Sequence, residues 1–498
     1  MPKTISIIGG GIGGLATAVL LAKSGHKVSV YEKNECRGGR AGMFEANGYR
    51  FDMGPSWYLM PDLFEEYFEM IGENIHDHLD LKQLSPSYKV FRKQPQDTKG
   101  NMCNLEVYSD IDRMAEQFEF IESGAGNKFK TFLQQSGRQY PIGMEFAKRN
   151  YDSIFDFFDR NFAWKGIKLN IRTTIDNYVA RFFKTSIIQK IMQYTTVFLG
   201  TAPNKTPAFY NIMSHVDFAM GVWYPQGGLH EIAEVLVNIG KKHGVGYFLE
   251  HELVEVSSNK KQVTGVKFKN GKQVQSDHYI INTDQARFET TILSSTDQTY
   301  SQDFWKKKTF APSGFIIYAG VNKKLANFEH HNLYFNEDRN KSFGDIFDRK
   351  LLPEDPSLYV CAPSKTDPHV APEGKENLFF LVPIPNGIEI SPEQKSSYRE
   401  KVWKIVEQMA GEEILPYVQY EQIFEVDDFK QRYNARNGTA LGLAHTMMQT
   451  ACFRPNNYSK KLDNLFYVGH NTNPGIGIPM VIMSAILVTQ RMQQKGVL

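Results

Sequence analysis

Cysteine is scarce: Cys36, Cys103, Cys361 and Cys452 are the only four in 498 residues, and none are paired in spacing. Their scatter excludes a disulfide framework or a C-x-x-C metal knuckle and points to a reducing compartment. Long apolar runs are also missing. None reaches the roughly 18 residues of a membrane-spanning helix, and the longest stretches, 15–22 and 479–488, fit a soluble fold. The formal net charge is only +2, so the basic excess of a nucleic-acid binder is lacking. Apolar strand character starts at Ile5, which leaves no length for a cleaved leader. Internal repeats, low-complexity tracts and a Ser/His/Asp or Cys/His catalytic signature are absent. His330, His331 and His369 are the one hint of a metal. Neighbouring residues on a strand point to opposite faces, and no cysteine or acid lies nearby at ligand spacing, so no metal site is expected. A cytoplasmic protein follows, with contact to the inner face of a membrane left open and oligomeric state unspecified.

The information lies in the first forty residues. Ile5, Ile7 and Ile8 read as a buried strand, and Gly9, Gly11 and Gly14 follow at G-x-G-x-x-G spacing. These glycines suit a tight turn, close approach of backbone to a pyrophosphate, and close packing of helix on sheet. Ala16, Ala18 and Ala22 keep the ensuing helix slim and Gly25 suits its C-terminal end. Its N-terminus offers unpaired N–H groups to a diphosphate. Val28 and Val30 form the next strand, and Glu32 at its end is placed to accept both hydroxyls of an adenosine ribose. The pattern predicts dinucleotide binding by Gly9, Gly11, Ile12, Gly13, Gly14, Glu32 and Lys33. Gly38-Gly39-Arg40 adds a second close backbone approach and a guanidinium fork suited to phosphate oxygens.

The run from Gly9 to Arg40 resembles the N-terminal signature of the FAD-dependent amine oxidase and carotenoid desaturase superfamily. Phe51-Asp52-Met53-Gly54-Pro55-Ser56 resembles the segment that passes close to the flavin, which implies cofactor contacts at Gly54, Pro55 and Ser56. At the far end, residues 464–469 read as a buried strand, 470–479 (HNTNPGIGIP) as a loop, and 480–492 as a helix with apolar faces. This block resembles the ending of the bacterial phytoene desaturase family. The resemblance implies that Gly469, His470, Gly477, Ile478, Pro479 and Met480 lie at the flavin, with the helix N-terminus stabilising negative charge on it. Met480 departs from the glycine often found after Ile-Pro in that family. The superfamily pattern further puts Val254 near the adenine and Asp284 just past a strand of the same sheet.

The chain is long enough for two or three lobes. The expected class is α/β: a Rossmann-like FAD-binding domain, a mixed-sheet substrate domain, and a helical lobe with potential membrane contact. The expected boundaries are 1–85, 221–295 and 431–498 for the cofactor domain, 86–220 for the helical lobe and 296–430 for the β-rich domain. From about residue 110 to 200 the periodicity is helical, and from 310 to 425 strands dominate. Within 151–184, Phe155, Phe157, Phe158, Phe162 and Trp164 are followed by Lys165, Lys168, Arg172, Arg181 and Lys184. Aromatic residues beside basic ones suit a helix on an anionic lipid surface; an amphipathic helix packed on the protein reads equally well.

The family likeness implies desaturation of an acyclic, phytoene-type polyene, with hydride leaving to flavin. A C–H bond beside a polyene leaves a delocalised allylic cation, and the next proton departs to a weak base. Such chemistry needs an apolar channel more than a strong catalytic side chain, and none is assigned. Arg149 and Asp152 read as a solvated helix face. Other carotenoid reactions share the scaffold: 3,4-desaturation of a hydroxylated substrate, C30 dehydrosqualene desaturation and terminal-methyl oxidation. More distant readings are an amine oxidase and a non-enzymatic isoprenoid escort like the Rab dissociation inhibitors. The lipid-surface reading predicts that FAD-loaded protein floats with anionic liposomes at low salt and is released by high salt; protein that stays at the bottom at low salt favours the packed lobe.

Overall fold

The computed structural model describes residues 1–93, 102–153 and 173–498. A five-stranded parallel sheet is assembled from distant parts of the chain. Its order is Leu465–Tyr467, His278–Ile281, Thr4–Ile8, Lys27–Tyr31, Gly246–Phe248. The central strand pairs Ile7 with Ile280 on one side and with Val30 on the other. Ile5, Ile7, Val28 and Val30 are buried, as expected of a parallel sheet covered on both faces. The helix Ile12–Lys23 follows the first strand directly. It is buried on every side up to Ala22, because the helices Glu231–Lys242 and Ile478–Gln494 both pack against it. Gly25, just past its end, is left-handed at φ 87°, a conformation glycine adopts without strain.

Glu32 and the short strand Gly246–Phe248 lead to an antiparallel flap, Leu253–Asn259, Gln262–Phe268 and Gln273–Val274. Its tight turn is made by Asn270-Gly271, with Gly271 at φ 86°.

The second large sheet has seven strands in the order Val418–Phe424, Ser313–Val321, Glu376–Ile384, Leu358–Cys361, His331–Tyr334, Tyr88–Lys93, Met102–Val107. All neighbours are antiparallel except His331–Tyr334 and Tyr88–Lys93. Side chains alternate between its faces. Phe315, Ile317 and Val321 join a core with Val402, Trp403 and Val406 of the helix Pro392–Ala410. Ile316 and Tyr318 join a core on the opposite face, toward the helices Ile111–Ile121 and Ala125–Ala147.

Two features differ from the sequence reading. Strands Tyr88–Lys93 and Met102–Val107 open the stretch expected to be helical, and they are the far edge of the seven-stranded sheet. The helix Pro392–Ala410 interrupts the stretch in which strands were expected to dominate. Its start was written in the sequence as Ser391-Pro392-Glu393-Gln394, where Ser391 and Gln394 form a reciprocal capping box. The strand Val418–Phe424 follows this helix within the same stretch and forms the other edge of the sheet. Of the aromatic and basic segment, Phe155, Phe157, Phe158, Phe162, Trp164, Lys165, Lys168 and Arg172 lie outside the described residues; Arg181 and Lys184 are exposed.

Candidate active site

One continuous cavity of about 910 Å³ runs from the carboxyl ends of the parallel strands to the inner face of the seven-stranded sheet. Ligands of open α/β sheets bind at that edge. At one end it is lined by the glycine turn, at the other by aromatic and aliphatic side chains, among them Trp57, Phe198, Tyr359 and Phe379.

The turn is built without room for side chains. A Cβ on Gly13 would stand 2.8 Å from Asn282 Oδ1 and 2.9 Å from Val481 Cγ1. One on Gly14 would collide with the Gly9 carbonyl. Gly14 therefore serves helix–strand packing and does not line the cavity, whereas Gly9, Gly11, Ile12 and Gly13 do. Glu32 lies at the strand end as expected, buried. Its Oε2 accepts from the Gly10 N–H at 2.6 Å, and its Oε1 accepts from the Asn34 N–H and Nδ2, each at 2.9 Å. Burial raises its pKa against these hydrogen bonds. Lys33 lines the rim, but its ammonium is tied to Asn434 Oδ1 at 3.0 Å, the Gln431 carbonyl and Glu252.

Gly38 crosses over the turn, its N–H donating to the Gly10 carbonyl at 2.8 Å. Gly39 and Arg40 follow on the cavity wall. The Arg40 guanidinium reaches His470 Nδ1 at 3.3 Å and donates to the Thr439 carbonyl at 3.3 Å. It stands 5.6 Å from the centre of the Tyr433 ring. It has no ion-pair partner among the described residues, and its Nε is buried without a hydrogen bond, as is His470 Nε2. Burial lowers the Arg40 pKa and, with Arg40 and Arg454 nearby, holds His470 well below the usual imidazole range. A half-buried cation with a spare donor, no salt bridge and only Asp284 as an opposite charge in its surroundings suits a phosphate.

Gly54, Pro55 and Ser56 line the middle of the cavity; a Cβ on Gly54 would lie 2.9 Å from the Arg40 carbonyl. Ser56 Oγ shares a hydrogen bond of 2.7 Å with the Tyr359 hydroxyl. From the closing segment, Gly469, His470, Gly477, Ile478, Pro479 and Met480 all reach the cavity. Gly477, at φ 105°, caps the helix, whose first residues Ile478 and Pro479 open directly on the cavity. Asp284 lines it too, accepting from the N–H groups of Arg287 at 2.9 Å and Arg436 at 3.1 Å. Val254 does not reach it. Val254 points to solvent, 43% exposed, and its neighbour Leu253 faces inward, since strand residues alternate.

Asn282 escaped the sequence reading, although it ends a predicted strand. Its Nδ2 donates to the carbonyls of Gly9 at 3.1 Å and Gly11 at 3.2 Å, fixing the turn. Arg454 escaped as well. Buried, it donates to the carbonyls of Leu443, Gln449, His470 and Thr472 and so shapes the closing loop. Two expectations need correction. Asp152 is exposed as expected but lies outside any helix, and it accepts from Arg491 Nη1 at 2.8 Å and the Tyr458 hydroxyl at 3.0 Å. The imidazoles of His330 and His331 do not diverge: the strand begins only at His331, and the ring centres are 4.5 Å apart.

The glycine cradle, the acid at the second strand and a guanidinium without a salt bridge fit a diphosphate-linked dinucleotide and define a dinucleotide-dependent oxidoreductase fold. Comparison with known proteins gives the class in full. The flavin containing amine oxidoreductase family matches residues 12–493. The chain is 43% identical over 484 residues to a carotenoid 3,4-desaturase of Haloarcula japonica, covering 97% of this chain and 96% of that one. It is 31% identical over 504 residues to a zeta-carotene-forming phytoene desaturase of Myxococcus xanthus, covering 98% and 94%. An oxidoreductase from Methanosarcina mazei shares the fold at a TM-score of 0.63 and 14% identity, over 98% of this chain and all of that one. The protein belongs to the carotenoid desaturase branch of the flavin containing amine oxidoreductase family, and it is an oxidoreductase with FAD as its cofactor.

If Glu32 and Arg40 hold the cofactor, Glu32→Ala and Arg40→Ala each weaken FAD retention by about 1.5–3 kcal/mol, the range of a charge-assisted hydrogen bond. Flavin absorbance per chain after gel filtration measures this. Full occupancy in both variants would displace the cofactor from this end of the cavity.

Proposed function

We propose that the protein desaturates an acyclic carotenoid, acting at the 3,4 position of a polyene chain. The observation that carries the reading is the continuity of the cavity: the dinucleotide cradle and the apolar aromatic wall are one space. Greater identity to the 3,4-desaturase than to the phytoene desaturase favours the position. Desaturation of phytoene itself, of a C30 analogue, or oxidation of a terminal methyl are the neighbouring alternatives.

In this reading Glu32 binds the adenosine ribose and Arg40 the pyrophosphate, with Gly9, Gly11 and Gly13 giving the backbone close approach. The N-terminus of the helix Ile478–Gln494 places its positive end toward the flavin. FAD, when bound, supplies a two-electron acceptor for hydride. The remaining work of the chain is alignment and exclusion of water. Trp57, Phe198, Phe379 and Leu381 offer apolar surface to a long hydrocarbon. Four polar groups of the cavity lining add no charge to it: burial keeps the hydroxyls of Tyr194 and Tyr359 well above their usual pKa, and the imidazoles of His445 and His470 well below theirs. Uncharged groups there suit a substrate on which positive charge spreads along conjugated carbons, with proton loss needing only a weak base.

Expression in cells that make phytoene, dehydrosqualene or an acyclic carotenoid with a hydroxylated end tests the reading. The expected outcome is a red-shifted pigment with added 3,4 double bonds in the last strain. Unchanged pigments in all three would overturn it.

A further inference from the structure

His330, His331 and Cys361 lie behind the cavity wall, and neither the cofactor nor the polyene accounts for them. A ring nitrogen of each histidine and the Cys361 Sγ all lie within 4.8 Å of one another. The three residues are 3%, 0% and 3% exposed. Sheet register creates the cluster, since His331 stands opposite Cys361 across antiparallel strands. His330 precedes the strand and is free of its alternation.

The other contacts of the two rings are informative. His330 Nδ1 is 2.7 Å from Thr366 Oγ1, and His331 Nδ1 is 2.7 Å from the Tyr359 hydroxyl. Nε2 of both rings is buried with no hydrogen-bond partner. A bound ion is one standing explanation for such orphaned atoms where, as here, two of them belong to adjacent imidazoles beside a thiol. One ring nitrogen anchored to a hydroxyl, with the other left free, is how histidine ligands are commonly oriented. Trp57 stacks on His331 at 4.1 Å and 8°, fixing the plane of that ring.

We propose that His330, His331 and Cys361 form a binding site for a thiophilic cation, copper(I). The donor set is two imidazoles and one thiol, which selects soft ions over magnesium or calcium. Zinc in structural sites takes four ligands, and this cluster supplies three. A single thiolate cancels the charge of copper(I), so the ion enters a low-dielectric interior without net charge. On binding, the Cys361 S–H bond breaks, its proton leaves to bulk buffer, and a sulfur–copper bond forms with no change of oxidation state. Burial pushes the Cys361 thiol up to about 12, so the bond to the metal has to drive that deprotonation. Metal–ligand bonds of about 2.0–2.3 Å require the donors to draw together by roughly an ångström. The site is independent of the carotenoid reading.

The test uses the FAD-loaded full chain, incubated anaerobically with copper(I) buffered by a chelator of known affinity, then desalted. The expected result is one copper per chain, falling at least tenfold in Cys361→Ser and His330→Gln and unchanged in Cys103→Ser, with flavin content equal throughout. X-ray absorption of the loaded wild type should show one sulfur and two nitrogen neighbours, a readout that stands even if a variant does not fold. No retention by the wild type, undiminished retention in Cys361→Ser, or zinc(II) displacing copper(I) in competition would overturn the proposal.

Discussion

The structure depends on how closely the chain can pack around Gly13. Asn282 presses on this residue from the fourth strand of the parallel sheet in chain order, and Val481 presses on it from the closing helix. The same Asn282 side chain bonds to the carbonyls on either side of the turn. Three segments far apart in sequence are thereby held at one point, and the cavity is the space left beside it. A side chain at Gly13 would separate them, so the glycine works here through packing as much as through conformational freedom.

Electrostatics at the site are asymmetric. Glu32 is oriented by Gly10 and Asn34 before any ligand is considered. Arg40 is held by a ring nitrogen, a carbonyl and an aromatic face, none of which cancels its charge. The acid is thus positioned and the guanidinium is left wanting an anion. Low local dielectric magnifies both effects, and it explains how a protein with a net charge near zero can still concentrate binding at one end of an apolar channel.

What the sequence made legible was local. Gly9 to Arg40 encode strand, turn, helix and acid in contiguous order, so each residue's task follows from its neighbours. Asn282 was invisible because its role arises where a distant strand passes the turn. Val254 was misplaced by one position, enough in a strand to move a side chain from cavity to solvent. The helix Pro392–Ala410 was legible through its capping box but was overshadowed by the apolar strands around it. Tyr88–Lys93 and Met102–Val107 could be assigned to a sheet only through their partners in it. The convergence of His330, His331 and Cys361 is set by cross-strand register, which spacing along the chain does not report.

The parallel sheet also imposes an order on biosynthesis. One of its edge strands, Leu465–Tyr467, and the helix behind it are synthesised after the other four strands of that sheet. Until they arrive, the strand His278–Ile281 lacks a neighbour and the wall formed by Gly469 to Met480 is missing. A nascent polypeptide that has not yet reached residue 465 therefore displays an unfinished sheet edge and an incomplete cavity wall. The cavity wall is complete only once this segment has joined the sheet.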